Sequence, residues 1–290
     1  MAGRLAARAR RRLYCAMLQA DRLVARLGPW FLLAVTGLCF LLYQVIQWPF
    51  YARGPWWIGV GTSLAAGVGV VLPLFTLTRR LGIPFRAQFQ IERPALVPSL
   101  AVAAATLSLV PPLGILTAAM ARYVPPEAAY LRWVATLRPE SPLGWLAVVF
   151  ALVLAGPLAE ELIFRGLLQR LLQRLLARPV WLARLGFSRG GLAVLIGALL
   201  FGAVHPPHSI PGAALLGLFF GALLLLLGNL SYPLIAHAIW NLANLVMLQQ
   251  SGGDLERLIQ TPFAESSALW LLVSLFLFVF FSRLWLQARV

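Results

Sequence analysis

The chain has 290 residues, of which 61% are hydrophobic and only 11% are charged. Soluble domains carry about 25% charged residues, so this composition excludes an ordinary soluble domain and a disordered chain. The net charge of +15 arises from 24 arginines, because the sequence contains no lysine. These arginines lie between apolar runs, which favours a role in membrane topology over nucleic-acid binding.

Eight apolar runs are long enough to be read as membrane spans, for which about 20 residues are needed. In chain order they are 28–50, 54–78, 95–121, 143–168, 190–205, 211–228, 231–249 and 267–284. The first run is too long for the core of a signal peptide, so we assign it to the first transmembrane helix. The pattern predicts an all-α, polytopic membrane protein with about eight transmembrane helices.

The arginines also indicate an orientation. With the N-terminus in the cytoplasm, the inside segments hold 19 arginines and the outside segments hold 5. This bias follows the positive-inside rule and predicts that both termini are cytoplasmic. Basic residues that are all arginine are typical of a GC-rich genome, which favours a bacterial cytoplasmic membrane.

The predicted organisation has four parts. They are an arginine-rich cytoplasmic segment (1–27), a group of N-terminal transmembrane helices (28–142), a functional membrane core (143–250), and an outer loop with the last helix (251–290).

Three charged residues, Glu160, Glu161 and Arg165, fall inside the fourth apolar run. A carboxylate at the membrane centre costs roughly 2.5–3.5 kcal/mol on insertion scales, so two adjacent ones indicate a function. Glu161 and Arg165 are four residues apart and can pair on one helix face, whereas Glu160 points in another direction. This spacing predicts that Glu161 is neutralised and that Glu160 faces a cavity. The alternative is that the helix ends early and the acids lie in a cytoplasmic amphipathic segment.

Polar residues in two later runs complete the pattern. His205 follows Phe201 by four residues, and His237 precedes Asn241 by four. Three helices can therefore present polar groups to one polar intramembrane cavity. Taken singly, a histidine or Asn241 can instead be a hydrogen-bonded packing residue between helices, as can Asn244.

Two further features have simpler interpretations. His208 follows a Pro-Pro break, which indicates a loop. Gly217 and Gly221 form a GxxxG pattern, which indicates close helix packing.

Three motifs together resemble the CPBP family of intramembrane proteases. EELIFR (160–165), FGAVH (201–205) and HAIWN (237–241) match the family patterns EExxxR, FxxxH and HxxxN, in order and in separate apolar runs. The resemblance covers residues 155–250. This family includes the type II CAAX prenyl proteases and the bacteriocin-immunity (Abi) proteins.

The resemblance implies a helical membrane fold with a conical cavity and endopeptidase activity. According to this resemblance, Glu160 with His205 would activate the attacking water, and His237 with Asn241 would stabilise the oxyanion of the tetrahedral intermediate. Glu161 and Arg165 would support the site. A buried carboxylate suits a general base, and an imidazole N–H or an amide can serve as an oxyanion donor.

The requirement for a metal ion is left open by the sequence. Glu160, His205 and His237 could supply the His₂Glu set of a catalytic zinc site. However, HExxH is absent, and no two histidines lie four residues apart on one helix. A mechanism without a metal or another cofactor is therefore favoured, with a divalent metal such as zinc as the alternative.

The expected partners are the lipid bilayer and a membrane-anchored protein or peptide substrate, with no nucleic acid. Two other functions are weighed against a protease: a non-catalytic immunity or scaffold protein of the same fold, and a proton-coupled transporter that uses the glutamates as a relay. The complete set of polar motif residues disfavours the first, and the lack of an evident internal repeat disfavours the second. The sequence does not indicate an oligomeric state.

Overall fold

The computed structural model describes residues 22–51, 53–176, 189–252 and 268–287, which are helical throughout apart from short connections. The predictions for 1–21 and for most of the outer loop lie outside the described residues. The nine longer helices are α1 (Pro29–Phe50), α2 (Pro55–Arg80), α3 (Leu96–Tyr123), α4 (Ala128–Ala135), α5 (Pro142–Leu175), α6 (Arg189–Ala203), α7 (Ile210–Leu227), α8 (Ser231–Gln250) and α9 (Ala268–Gln287).

Every helix except the short α4 corresponds to one of the eight predicted apolar runs. Five helical segments are long and apolar enough to cross a membrane, namely α1, α2, α3, α5 and the segment Pro207–Leu227 that contains α7. The apolar parts of α6 and α9 are shorter, spanning Gly190–Ala203 and Leu272–Arg283. Helix α8 has 20 residues, but His237, Asn241 and Asn244 make it less apolar than its neighbours. The fold class is that of an all-α polytopic membrane protein.

Two helix ends differ from the predicted runs. Helix α5 continues to Leu175, seven residues beyond the predicted end, and therefore holds Arg165 well inside the helix. The helix also contains Arg170 and Arg174, so three of the 19 arginines counted in the inside segments lie within α5. Helix α6 ends at Ala203, so His205 lies in the following turn rather than in the helix. The pair Pro206-Pro207 explains this end, because a residue before proline is disfavoured in the helical conformation.

Helix α5 lies at the centre of the bundle, where it packs against α1, α2, α6 and α8. Helix α3 packs against α8 and α9 instead. Two stretches of α5 are π-helical, Phe150–Ala155 and Leu162–Leu168, and they flank the short α-helical turn that carries both glutamates. The helix therefore does not end early, and the acids lie within the bundle.

Small residues bring α6 and α7 into close contact, as the GxxxG pattern predicts. A Cβ atom on Gly217 would lie 2.9 Å from the Cα atom of Ala198, and one on Gly221 would lie 2.9 Å from a methyl carbon of Val194. The first of these contacts involves backbone that cannot rotate away. Close approach of this kind is a principal source of helix association in a membrane, where the lipid is as apolar as the side chains.

We expect Gly217→Ala to destabilise the protein by about 1–3 kcal/mol, because the added methyl group would overpack the α6–α7 contact. Gly197→Ala is the matched control, since a Cβ atom there meets nothing within 4 Å. Alanine also favours a helix over glycine, so the control should be neutral or slightly stabilising. Thermal unfolding in detergent checks both variants, and equal midpoints would contradict the packing assignment.

One end of the bundle is joined by a network of hydrogen bonds, and we call it the closed end (84–95 with 229–232). The backbone N–H of Leu230 donates to the carbonyl oxygen of Gln90 at 2.9 Å. The Asn229 amide group donates to the backbone carbonyl of Glu92 and accepts from its N–H, at 3.2 and 3.3 Å. The Arg170 guanidinium donates to the Gln88 carbonyl and, at 3.0 Å, to the Gln90 side chain. These bonds tie the segment before α3 to the turn before α8.

Candidate intramembrane active site

The two glutamates of α5 have different surroundings, as their spacing predicts. Glu161 is fully buried, and its Oε1 atom accepts hydrogen bonds from Arg165 Nη1 at 3.0 Å and from His237 Nδ1 at 2.9 Å. The side chain of Glu160 is 25% exposed and lines the cavity described below. The helix therefore buries one carboxylate with its partners and leaves the other accessible.

Arg165 is held by more than its ion pair. Its Nη2 atom donates to the carbonyl oxygen of Gly217 at 3.3 Å. Its Cζ atom lies over three aromatic rings, at 4.4 Å from the centre of Phe201, 5.3 Å from Phe220 and 5.9 Å from Phe164. Cation–π contacts and hydrogen bonds together satisfy a guanidinium that is only 2% exposed. Arg165 thereby links α5 to α6 and α7.

His237 of α8 lies between the two carboxylates. Because a carboxylate only accepts, the 2.9 Å contact with Glu161 places a proton on Nδ1 of the histidine. The other ring nitrogen, Nε2, lies 3.7 Å from Oε2 of Glu160. The ring also stacks on Phe220, with 5.0 Å between centres and 24° between planes. The imidazole is thus fixed with Nε2 toward the exposed carboxylate.

His205 is positioned by the residue four places before it. Its Nδ1 atom lies 2.7 Å from the carbonyl oxygen of Phe201, and its ring centre lies 4.6 Å from that phenylalanine ring. Because a carbonyl only accepts, Nδ1 carries the proton of this bond and Nε2 remains available as an acceptor in the neutral ring. Phe201 therefore orients His205 through its backbone and contacts Arg165 through its side chain.

The two asparagines of α8 differ in their partners. Asn241 Nδ2 donates to the carbonyl oxygen of Leu152 at 2.7 Å, which joins α8 to α5. Leu152 belongs to a π-helical stretch, where carbonyl groups are released from the regular α-helical pattern. One of the two amide hydrogens of Asn241 remains for another acceptor. Asn244 donates instead to the Trp240 carbonyl, so the bond seen for its amide lies within its own helix.

A cavity of 460 Å³ brings Glu160, His205, His237 and Asn241 into one space. Its volume is in the range of small-molecule and short-peptide sites. The structure thus places the four predicted residues, contributed by three parts of the chain, on the wall of a single cavity. Glu161 and Arg165 lie behind that wall.

The cavity also has polar residues that sequence reasoning missed. Tyr51 donates its hydroxyl hydrogen to Oε1 of Gln47 at 3.0 Å, and Thr62 donates to the same oxygen at 3.5 Å. Burial, and after it the negative charge of Glu160, raise the pKa of Tyr51 to about 12. Its hydroxyl is therefore protonated at neutral pH. The sequence feature that could have indicated these cavity residues is the group of polar residues at the end of the first apolar run (Tyr43, Gln44 and Gln47).

Phe220 is a further residue of the cavity wall that the sequence analysis did not identify. It stacks on His237 and lies under Arg165, yet it belongs to none of the three motifs. A phenylalanine in an apolar helix gives no signal of such a role. His208, in contrast, lies where expected, in the turn Pro207–Ser209, where it is buried and packs on Tyr130 with 5.2 Å between ring centres.

The described residues contain no group of three or more His, Cys, Asp or Glu side chains arranged to hold a metal ion. The alternative ligand set of Glu160, His205 and His237 lines the same cavity but does not form such a group.

A comparison with protein families gives one match. Residues 142–243 match the family described as type II CAAX prenyl endopeptidase Rce1-like. The matched range extends from the start of α5 into α8 and contains all three motifs. No curated protein and no solved structure matches the chain at a significant level. The segment that carries the polar cavity wall is therefore similar to the Rce1-like type II CAAX prenyl endopeptidases, in agreement with the resemblance that the three motifs indicate.

Proposed function

We propose that the protein is an intramembrane endopeptidase that hydrolyses a peptide bond in a membrane-anchored protein or peptide. The observation that carries the proposal is the shared cavity wall, on which an accessible carboxylate lies beside two oriented imidazoles and an amide. A carboxylate, two histidines and an amide supply the proton acceptor and the hydrogen-bond donors that amide hydrolysis requires.

In the proposed reaction, Glu160 accepts a proton from a water molecule as its oxygen attacks the scissile carbonyl carbon. His205 orients that water through Nε2, because its Nδ1 is occupied by the Phe201 carbonyl. The attack forms a tetrahedral oxyanion, and the carbon–nitrogen bond then breaks as the proton passes from Glu160 to the leaving amine. General-base catalysis of this kind contributes about 10²–10⁴ in rate.

His237 and Asn241 are the proposed donors to the oxyanion. His237 donates from Nε2 in the doubly protonated ring, since its Nδ1 is engaged by Glu161 and Nε2 lies on the side of Glu160. Asn241 donates through the amide hydrogen that Leu152 does not use. Removing one such donor typically costs about 10²–10³ in rate. Glu161 and Arg165 hold His237 and the helix in place.

The proposed mechanism uses no metal ion, and it predicts that 1,10-phenanthroline leaves the cleavage rate unchanged. The support is the chemistry of the donor set, since both imidazoles have assigned hydrogen-bonding roles. The measurement is the cleavage rate of purified protein before and after incubation with chelator, with a known zinc protease as the positive control. A reversible loss that zinc restores would overturn the mechanism.

We further propose that the protein lies in a bacterial cytoplasmic membrane with both termini in the cytoplasm. The arginine bias supports this orientation, because arginine is concentrated in the segments that would be cytoplasmic.

The function is tested by comparing protein termini in cells. Membrane-protein N- and C-termini are identified by mass spectrometry in cells that carry either the wild type or Glu160→Gln at equal abundance. New termini that occur only with the wild type would support the protease and identify its substrates. Identical termini in both strains would count against proteolysis and favour the non-catalytic binding protein.

A further inference from the structure

The cavity occupies one end of the helix bundle. Helices α1, α3 and α8 run toward that end, and they contribute cavity residues from 40–51, 113–118 and 237–248, away from their starts. Helices α2 and α7 run the opposite way and contribute Thr62 and residues 212–220, nearer to their starts. The lining therefore follows helix direction, and most of it lies in the half of the bundle opposite the closed end.

The other side of the bundle is the closed end. Beyond its hydrogen bonds, it is filled by Phe89, which is fully buried and packs against Gly166. A Cβ atom on Gly166 would lie 2.7 Å from the Phe89 ring, so the contact has no free space. Gln169 adds a bond to the Gly221 carbonyl at 3.1 Å. The described residues therefore leave a polypeptide no route from the closed end to Glu160.

The two ends also differ in charge. In the described part of the chain, the arginines in or beside the closed end include Arg79, Arg80, Arg86, Arg93 and Arg174, and the one acid there is Glu92. The connections at the cavity end carry Arg53, Arg122, Arg132 and Arg138 together with the acids Glu127 and Glu140. The positive-inside rule thus assigns the closed end to the cytoplasm and the cavity end to the outer side of the membrane.

The walls of the cavity match an apolar peptide. Aromatic and aliphatic side chains predominate, among them Phe40, Leu113, Trp133 and Leu216, with hydroxyl and amide groups between them. Glu160 is the one carboxylate, and no arginine is among the described lining residues. Such walls can bury the apolar side chains of a peptide, while their hydroxyl and amide groups form hydrogen bonds with its uncharged backbone.

We infer that the cavity is entered from the outer side of the membrane, so that the substrate is an apolar segment at the extracytoplasmic end of a membrane anchor. This inference rests on the proposed function and on the proposed orientation. It names the side from which the substrate comes, and it excludes cytoplasmic tails as the cleaved segments.

The first test labels single cysteines in a Cys15→Ser, Cys39→Ser background. Met247→Cys lies in the cavity wall, and Arg86→Cys lies exposed at the closed end. A membrane-impermeant maleimide should label Met247→Cys in intact spheroplasts and Arg86→Cys only in inside-out vesicles. The opposite pattern would overturn the inference. Labelling after detergent treatment controls for the reactivity of each cysteine.

The second test maps the new termini found with the wild type onto the topology of the cleaved proteins. Termini at the extracytoplasmic ends of membrane anchors would support the inference, and termini in cytoplasmic tails would overturn it. The two tests separate the causes of failure, because labelling does not depend on catalysis. If labelling is as expected and no termini appear, the proposed function fails while the accessible side of the cavity stands.

Discussion

Glu160→Gln is expected to abolish peptide hydrolysis, with a loss of about 10²–10⁴ in rate or more, while the protein remains folded. Glutamine keeps the shape of the side chain but cannot accept the proton of the attacking water. Glu160 is partly exposed in the cavity, and its contact with His237 Nε2 is long at 3.7 Å, so its replacement does not break a tight hydrogen bond to that histidine. The cleavage rate and the thermal unfolding midpoint are measured on the same preparation.

Glu127→Gln is the matched control for this variant. Glu127 is exposed at the start of α4 and contributes no side-chain hydrogen bond to the helix end, so neither rate nor stability should change. Near-normal proteolysis by Glu160→Gln would remove Glu160 from the mechanism. A lowered unfolding midpoint would mean instead that the carboxylate has a structural role.

Arg165→Ala is expected to prevent stable folding, with a loss of about 3–5 kcal/mol, because it leaves the buried carboxylate of Glu161 without its cation. The substitution also empties the space between Phe201 and Phe220, which adds the cost of a cavity. Yield in the membrane and resistance to thermal unfolding in detergent are the measurements.

Two further variants show whether the charge pair is the cause. Arg93→Ala removes an exposed arginine and should leave yield and stability unchanged. Arg165→Met combined with Glu161→Gln removes both charges while keeping side-chain volume, so it should recover part of the lost stability. A double variant no better than Arg165→Ala would argue that the hydrogen bond to Gly217 and the aromatic contacts matter more than the ion pair.

Much of the fold follows from hydropathy alone, because a bilayer needs apolar helices of known length. The end of α6 shows the limit of that reasoning. Apolar residues continue to Val204, but the local restriction imposed by Pro206 ends the helix at Ala203. Helix α5 shows the opposite case, because it is longer than its apolar run and continues through Arg170 and Arg174. The buried guanidinium of Arg170 is accommodated there by hydrogen bonds to Gln88 and Gln90.

Within the site, local spacing was sufficient to predict the ion pair of Glu161 and Arg165, since residues four apart share a helix face. The contact of Glu161 with His237 joins residues 76 apart in the chain, so it depends on how α5 packs against α8. The bond from Asn241 to Leu152 has a further requirement, because it uses a carbonyl in a π-helical stretch. A regular helical pattern gives no sign of such a stretch, and sequence reasoning could not identify the partner.

The π-helical stretch Phe150–Ala155 has a consequence for how the length of α5 is read. Its hydrogen bonds join residues five apart, so it holds more residues than the same rise of α-helix. Deleting one residue there would restore the α-helical pattern and keep both flanks in their present directions. Deleting one residue from the regular α-helical stretch 156–159 would instead turn Pro142–Val149 by about 100° relative to the glutamates. After that second deletion, helix α5 would keep every motif and still face α2 with the wrong side. In this helix the number of residues between two points, and not only their identity, sets the direction in which Glu160 faces.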